Sequence, residues 1–275
     1  MTLAPSVRAY FRVRPRGFVD GVRLFAAFVT SALLKAAIPA RFRSVGLAVH
    51  GSRNLHVAVD GIEFEVRPRT NDLDLISPKH EPLTTDWFRV GANDIVVDVG
   101  AHIGRYTLKA AAAHKATVIA IEPDPSNFQL LEKNVRLNHR SNVVLVPQAM
   151  TAVPGSLLLS PGPSSNTGMS SVATVSSGDL RTPCENQVSV PGQTLDHIVK
   201  AYGLSRIDWL KIDVEGHEVA VLEGAHTALE ITRRLILEVT CSTDERCRRI
   251  VEGYGFGLVA VESGSPASTW LLTKS

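Results

Sequence analysis

The sequence predicts an α/β protein built on a doubly wound, mostly parallel sheet of seven strands. Three observations lead to this fold class. From residue 94 onward, short β-branched apolar runs alternate with helix-like segments. A turn bounded by Gly100 and Gly104 follows the first of these runs. Acidic residues stand at the ends of two later runs, at the edge where doubly wound sheets bind their ligands.

The first predicted strand is Ile95–Val99, a buried run interrupted by Asp98. The other predicted strands cover residues 117–121, 142–146, 209–214, 235–239, 257–261 and 269–273, and the predicted helices cover 106–114, 126–138, 194–201 and 218–229. Residues 151–187 are rich in Ser, Gly, Pro and Thr with little periodicity. We therefore expect them to form a substrate loop or lid.

The chain before this alternation divides into two predicted parts. Residues 1–45 form a basic arm with a helix over 19–38, whose uncharged core of 11 residues is shorter than the ~17–25 that a membrane span needs. The helix is expected to pack on the body or to lie at a membrane interface. Residues 46–90 form a β-hairpin extension, because Asp60-Gly61 separates two alternating apolar runs. Residues 91–275 form the main domain.

Charge and cysteine content indicate the partners and the compartment. The first 43 residues hold eight of the 29 basic residues and one of the 27 acids, so the arm carries +7 and the rest −5. This favours a peripheral contact with the inner membrane surface. Nucleic acid is a weaker partner because no basic patch is interleaved with aromatic residues. Three cysteines without C-x-x-C spacing favour a reducing, cytoplasmic location over a disulfide framework or a zinc site.

The turn from Gly100 to Gly104 is not a dinucleotide fingerprint, which would need glycine where His102 and Arg105 stand. Glu122 ends the next predicted strand, 22 positions after Gly100. A carboxylate at that distance is suited to accept two hydrogen bonds from ribose hydroxyls. Two alternatives stay open here: a structural turn without a ligand, and an acid that only favours the start of a helix.

A second group of ionisable residues follows the predicted strand 209–214. Lys211 and Asp213 share one face of that strand, and Glu215, His217 and Glu218 come directly after it. Such groups at the carboxyl end of a strand are candidates for chemistry. Lys211 with Asp213 is either a structural ion pair or a charge-tuned site. His217 is a candidate general base, although a lone histidine is more often structural.

From about Glu81 to its end, the chain resembles the FkbM family of S-adenosylmethionine (SAM)-dependent methyltransferases. The segments that carry the resemblance are VVDVGAHIG from residue 96, AIEPDPSN from 120, NTGMSS from 166, QTLD from 193, DWLKIDVEGHE from 208 and LEGA from 222. The run from Lys211 to Glu218 is the most diagnostic. The chain departs from the family at His102, where the family often has Asn. The first 45 residues lie outside the resemblance.

The resemblance implies a Rossmann-like class I methyltransferase fold and an O-methyltransferase that acts on a hydroxyl of a glycan, glycolipid or natural product, with S-adenosylhomocysteine as product. The implied cofactor-binding residues are Glu81, Asp98, Gly100, Ala101, His102, Gly104 and Glu122. The implied catalytic residues are Lys211, Asp213, Glu215 and His217. The implied substrate-binding residues are Asn166 and Ser170.

Three alternatives stay open beside this expectation. A nicotinamide-dependent oxidoreductase shares the fold, but the middle glycine and a Tyr-x-x-x-Lys pair are missing. A membrane-associated protein could bind SAM without turnover. Asp213 and Glu215 could hold a divalent metal because hard oxygen ligands suit Mg²⁺, but we predict no metal. A small-molecule or glycan acceptor is the expected partner, and self-association into a homo-oligomer is left open.

Overall fold

The computed structural model describes residues 12–37, 52–162, 167–168, 171–173, 187–264 and 267–274. The strands are β1 (Val13–Pro15), β2 (Leu55–Val59), β3 (Ile62–Val66), β4 (Ile95–Val99), β5 (Thr117–Ile121), β6 (Val143–Val146), β7 (Ala149–Met150), β8 (Gly155–Ser160), β9 (Ser171–Ala173), β10 (Val188–Gln193), β11 (Ile207–Ile212), β12 (Thr232–Thr240), β13 (Phe256–Ser263) and β14 (Ala267–Lys274). The helices are α1 (Phe18–Ala37), α2 (Asp72–Leu75), α3 (Pro82–Trp87), α4 (Arg105–Ala111), α5 (Pro125–Leu137), α6 (Leu195–Ala201), α7 (Glu218–Glu223), α8 (His226–Ile231) and α9 (Asp244–Gly253).

The main sheet has the order β13-β14-β12-β11-β4-β5-β6. Strand β14 runs antiparallel to both of its neighbours, and the pairs from β12 across to β6 are parallel. This is the doubly wound, mostly parallel seven-stranded sheet that the sequence predicts. The chain runs outward from β4 in one direction and outward from β11 in the other. The carboxyl ends of β4 and β11 therefore meet at the crevice where such sheets bind ligands.

Apolar side chains on both faces explain why the central strands are buried. Along β4 and β5, Val97 and Ile119 point into the largest core cluster, while Val96 and Val118 point into a cluster on the opposite face. This alternation follows from the two-residue period of a strand. Helix α5 begins where Asp124 accepts hydrogen bonds from the two following amides, which is an N-cap. The core thus holds the crevice on a rigid platform.

The predicted loop 151–187 contains two strands among its described residues, so the expectation of little regular structure was wrong there, and its role as a substrate loop or lid stays a prediction. Strands β8 and β9 lie inside it and belong to a second sheet with the order β7-β10-β8-β9. Leu157 and Leu159 are buried in one cluster with Val190 of β10. The run of three leucines at residues 157–159 lacks polar alternation, and the Ser, Gly and Pro around it are typical of loops. The strand therefore left no clear periodic signal.

The predicted helix 218–229 is also wrong, because the structure has two helices, α7 and α8, with a break at Gly224 and Ala225. A Cβ atom on Gly224 would lie 2.2 Å from the carbonyl oxygen of Thr151. The chain approaches the 151 segment too closely there for a continuous helix with ordinary side chains. Strand β11 ends at Ile212, so Asp213 lies one residue beyond the strand.

The predicted hairpin and N-terminal helix are both present. Strands β2 and β3 are joined by Asp60 and Gly61, which have φ angles of 52° and 83°. Strand β1 pairs with β2, and Leu24 of α1 shares a core cluster with the hairpin and with Leu131 of α5. The division of the chain at residues 45 and 90 stays a prediction. Among the helices described, none has the length and apolar character of a membrane span.

Candidate functional site

A cavity of about 530 Å³ opens at the carboxyl ends of β4, β5, β11 and β12. Its volume lies in the range of small-molecule sites. Ten of the predicted site residues line it: Glu81, Asp98, Gly100, Ala101, His102, Glu122, Lys211, Asp213, Glu215 and His217. Asn166 and Ser170 lie outside the described residues, although Gly168 beside them lines the cavity. Three strand ends, those of β4, β5 and β11, and the segment before α3 therefore bring the predicted residues to one place.

The glycine turn between β4 and α4 uses its two glycines differently. Gly100 has φ +82°, and a Cβ atom there would lie 1.8 Å from the carbonyl oxygen of Asp213. Only glycine allows the backbone to pass this close to the next strand end. Gly104 has φ +99° and meets the side chain of Leu131. It is not among the lining residues, so its observed role is to pack α4 against α5.

Glu122 lies at the end of β5 and is 4% exposed. One of its carboxylate oxygens accepts a hydrogen bond from the amide of His102 at 2.8 Å, and the other from the amide of Asp124 at 2.9 Å. Burial raises the pKa of Glu122 to about 7, against the effect of these two donors. Each oxygen has a second lone pair for a ligand hydroxyl. The carboxylate is therefore held at the cavity wall and can accept from a vicinal diol.

His102 has a left-handed backbone with φ 50°, which aims its amide at Glu122. Its ring turns the other way, with Nε2 3.0 Å from Oγ1 of Thr167. Burial lowers the pKa of His102 to about 4, so the ring is neutral at neutral pH. The backbone and the ring of this residue thus serve different parts of the site.

Asp98, at 1% exposure, accepts a hydrogen bond from Oγ1 of Thr107 at 2.6 Å. Its other oxygen has no hydrogen-bond partner among the described residues. Burial raises the pKa of Asp98, and the nearby ammonium of Lys211 opposes that shift. Lys211 pairs with Asp98 in the register between β11 and β4. The residue is a buried acid at the floor of the cavity.

Lys211 and Asp213 form the predicted side-by-side pair, with 2.7 Å between Nζ and Oδ2. Burial alone would lower the pKa of Lys211, but the facing acids Asp213, Asp98 and Glu81 raise it. Burial would raise the pKa of Asp213, but Lys211 lowers it. Both groups are therefore charged. The amide of Asp213 also donates to the carbonyl of Val99, which joins the pair to the turn at Gly100.

Glu215 lines the cavity on a turn in which it and Gly216 have φ angles of 49° and 96°. Burial raises the pKa of Glu215 to about 7, and the neighbouring acids Asp213 and Glu218 raise it further. The structure gives this carboxylate no hydrogen-bond donor among the described residues. His217, the other candidate base, has its pKa lowered by burial, and its Nε2 lies 3.4 Å from Oγ1 of Thr151.

The cavity contains one glutamate that was predicted from the sequence, Glu81, and one that was missed, Glu238. Glu81 has φ 43° and accepts a hydrogen bond from the hydroxyl of Tyr106 at 2.7 Å. Glu238 of β12 was not predicted at all, because it stands inside a strand-like run, LILEVT. Its position near the carboxyl end of that strand was the only available signal.

The carboxylate oxygens of Glu81, Asp213 and Glu238 lie within 4.8 Å of one another. A divalent cation would fit this spacing in principle, whereas Glu215, named with Asp213 in the sequence-based alternative, is not part of the group. However, the Lys211 ammonium already neutralises Asp213 at 2.7 Å. A proton shared between two close carboxylates is the simpler arrangement.

Comparison with known proteins identifies the family. A family model described as the methyltransferase FkbM domain matches residues 98–258, which is more than half of the chain.

The chain belongs to the FkbM methyltransferase family. It is similar to hexuronic acid methyltransferase AglP of Haloferax volcanii, with 28% identity over 56% of this chain and 59% of that protein. It is also similar to methyltransferase sdnD of Sordaria araneosa (30% identity, 54% and 66% covered) and methyltransferase 1 of Beauveria bassiana (27%, 62% and 74%). The chain thus spans less than two thirds of the first two relatives.

Membership of the methyltransferase FkbM domain family makes SAM the cofactor to compare with the cavity. The residues present fit SAM. Gly100 and Ala101 leave the end of β4 open to a ligand, and Glu122 offers a buried carboxylate for ribose hydroxyls.

Proposed function

We propose that this chain transfers the methyl group of SAM to a hydroxyl of a glycan, glycolipid or natural-product acceptor. Bound SAM supplies an electrophilic methyl group on a sulfonium. The chain must then hold both reactants in line and remove the proton of the hydroxyl. The name of one relative, a hexuronic acid methyltransferase, supports a sugar derivative as the acceptor class.

The observation that carries this proposal is Glu215. It lines the cavity, receives no hydrogen bond from the part of the chain that the structure describes, and has a pKa raised to about 7 by burial and by Asp213 and Glu218. A general base works best when its pKa lies near the working pH. We assign Glu215 as the base that accepts the hydroxyl proton. Lys211 and Asp213 fix the wall beside it, and Gly100 with Glu122 holds the donor.

The test is transfer of labelled methyl from SAM to glycan and glycolipid fractions, with Glu215→Gln as the variant. We expect turnover to fall ~10²–10⁴-fold, the usual contribution of a general base. SAM affinity, measured by calorimetry, should stay within about twofold of the unmodified chain. The exposed Glu252→Gln on α9 is the matched control.

The pH dependence gives an independent reading. A base must be ionised to act, so the rate should rise with pH through about 7 and then level off. Full turnover in Glu215→Gln would reject the assignment of the base. SAM binding without methyl transfer to any hydroxyl acceptor would instead favour the binding protein without turnover.

We also propose that helix α1 contacts an anionic membrane surface. Phe18, Val22 and Phe25 are 88%, 53% and 60% exposed and recur at the spacing of one helix face. Leu24 is buried against the hairpin, so the apolar face looks away from the body. The exposed Arg14 and the basic residues of the arm in the sequence match anionic lipid headgroups.

Flotation with vesicles that contain anionic phospholipid tests this contact. The double variant Phe18→Ser with Phe25→Ser should lose most of the vesicle-bound fraction, because two insertion residues are removed. Val259→Ser removes an apolar residue that is 59% exposed on β13 and is the matched control. Equal flotation of the double variant and the control would reject the proposal.

A further inference from the structure

Glu238 is the residue of the cavity wall that the proposed reaction leaves without a role. It lies near the end of β12, and the register that pairs Ile212 with Leu237 carries on to place Asp213 beside it. The Glu238 carboxyl is within hydrogen-bonding reach of Asp213. It lines the same cavity. A glutamate at this position is therefore part of the site and not a surface residue.

The groups that face Glu238 are mostly acidic. Asp213 follows β11, Glu81 precedes α3, and the oxygens of all three carboxyls lie within 4.8 Å of one another. The ammonium of Lys211 contacts Asp213 at 2.7 Å, and Arg105 and His80 lie 3.7 and 3.8 Å from Glu81. From β14, the partner of Glu238 in the register is Thr269, which is uncharged. Two carboxylates this close cannot both stay ionised without a second cation.

The charges of the other two acids are accounted for by their own partners. Lys211 neutralises Asp213, and Glu81 accepts from the hydroxyl of Tyr106 and lies 3.7 Å from the guanidinium of Arg105. Among the described residues, no cation forms an ion pair with Glu238. It is therefore the acid for which ionisation costs most. Asp213 raises the pKa of Glu238, and burial raises it further.

We propose that Glu238 is a positioning residue of the methyl-transfer site and that it acts as a protonated carboxyl, donating a hydrogen bond to Asp213. This rests on the proposed function. Asp213 is the residue whose backbone carbonyl lies against Gly100 and whose side chain holds Lys211. A neutral Glu238 thus fixes Asp213 between the turn that receives the donor and the base Glu215. An ionised Glu238 would instead repel it.

The direction in which folding stability changes with pH provides a test that needs no acceptor substrate. Glu238 has a raised pKa in the folded chain, so folding requires it to keep a proton that the unfolded chain releases above its ordinary pKa. The folded chain therefore loses stability as pH rises from that ordinary value toward the raised one. Glutamine mimics the neutral carboxyl and carries no such penalty. Glu238→Gln should gain melting temperature relative to the unmodified chain, and the gain should widen from about pH 5 to about pH 8.

The melting series includes Glu252→Gln, to subtract the general effect of replacing a carboxyl with an amide. Calorimetry then compares SAM binding by Glu238→Gln and Glu238→Ala. The amide should keep SAM affinity within about twofold, because it still donates to Asp213. The alanine variant should lose roughly tenfold, the size expected when a charged group loses a hydrogen bond.

Several results would overturn the proposal. If the difference in melting temperature between Glu238→Gln and the unmodified chain does not widen with pH, Glu238 is ionised in the folded chain. Equal SAM affinity in Glu238→Ala and the unmodified chain would remove the positioning role. A gain in melting temperature on adding Mg²⁺, lost in Glu238→Gln, would show a cation in place of the proton. Failure of the unmodified chain to bind SAM would reject the proposed function, while the melting series would still decide the state of Glu238.

Discussion

In the proposed reaction, the donor side of the cavity is the wall from Gly100 to Glu122. It comes from two neighbouring strand ends and the turn between β4 and α4, and backbone groups provide much of it. The acceptor side gathers residues 211–217 and Glu238, and Glu81, predicted to bind the cofactor, lies against Asp213 and Glu238. On the donor side, buried groups are satisfied by amides, as with Glu122. On the acceptor side, ionisable side chains are balanced against one another, as with Lys211 and Asp213.

This difference separates two ways of building a site. A local turn constrains the residue types at fixed spacing, because glycine and a strand-end acid are needed at set positions. In a cluster of charged groups only the net charge is constrained, because the pKa of each group depends on the charges of the others. A substitution on the donor side should therefore act locally. A substitution on the acceptor side should change the protonation of its neighbours.

The largest expected effect lies on the acceptor side. Lys211→Met removes the cation from a site in which Asp213 remains, and breaking such a buried pair costs about 3–5 kcal/mol of unfolding free energy. Urea unfolding at neutral pH measures this loss. The double variant Lys211→Met with Asp213→Asn should recover part of the stability, because no unpaired charge is left. The double variant could instead lose as much unfolding free energy as the two single variants lose together. The two sides of the cavity would then not differ in this way.

The same contrast explains which parts of the fold and of the site could be predicted from the sequence. The seven-stranded sheet and the placing of Lys211 beside Asp213 were predicted correctly, because each depends on periodicity or on spacing within one or two elements. Glu122 lines the cavity, and its role in binding the cofactor stays a prediction. Glu238 was missed because an acid within LILEVT gains meaning only when β12 lies next to β11. The breaks that the prediction missed, at Gly224 and around β8, also come from contacts between distant segments.

A smaller effect is expected at Gly100, on the donor side. Gly100→Ala places a methyl group against the carbonyl oxygen of Asp213 at a left-handed backbone position. Gly61→Ala is the matched control, because its φ of +83° is nearly the same and nothing lies within 4 Å of its Cβ. Both variants lose the ~1–2 kcal/mol of unfolding free energy that a left-handed side chain costs, and Gly100→Ala loses more because its methyl group forces the backbone at Asp213 to move. Only Gly100→Ala should also lose about tenfold in SAM affinity by calorimetry, or ~1.4 kcal/mol. An equal loss of SAM affinity in both variants would mean that the contact between position 100 and Asp213 does not affect SAM binding.

The smallest effect is expected at His102, where the family often has Asn. His102→Asn keeps the amide that donates to Glu122, and asparagine tolerates the left-handed backbone better than most residues. The ring is directed at Thr167, so its loss should change SAM affinity by no more than about threefold, or ~0.6 kcal/mol. Calorimetry with SAM at neutral pH measures this, where the neutral ring contributes no charge to lose. A tenfold loss would place the ring itself against the donor. The donor side would then depend on side chains as the acceptor side does. Only the turn at Gly100 would still distinguish the two sides.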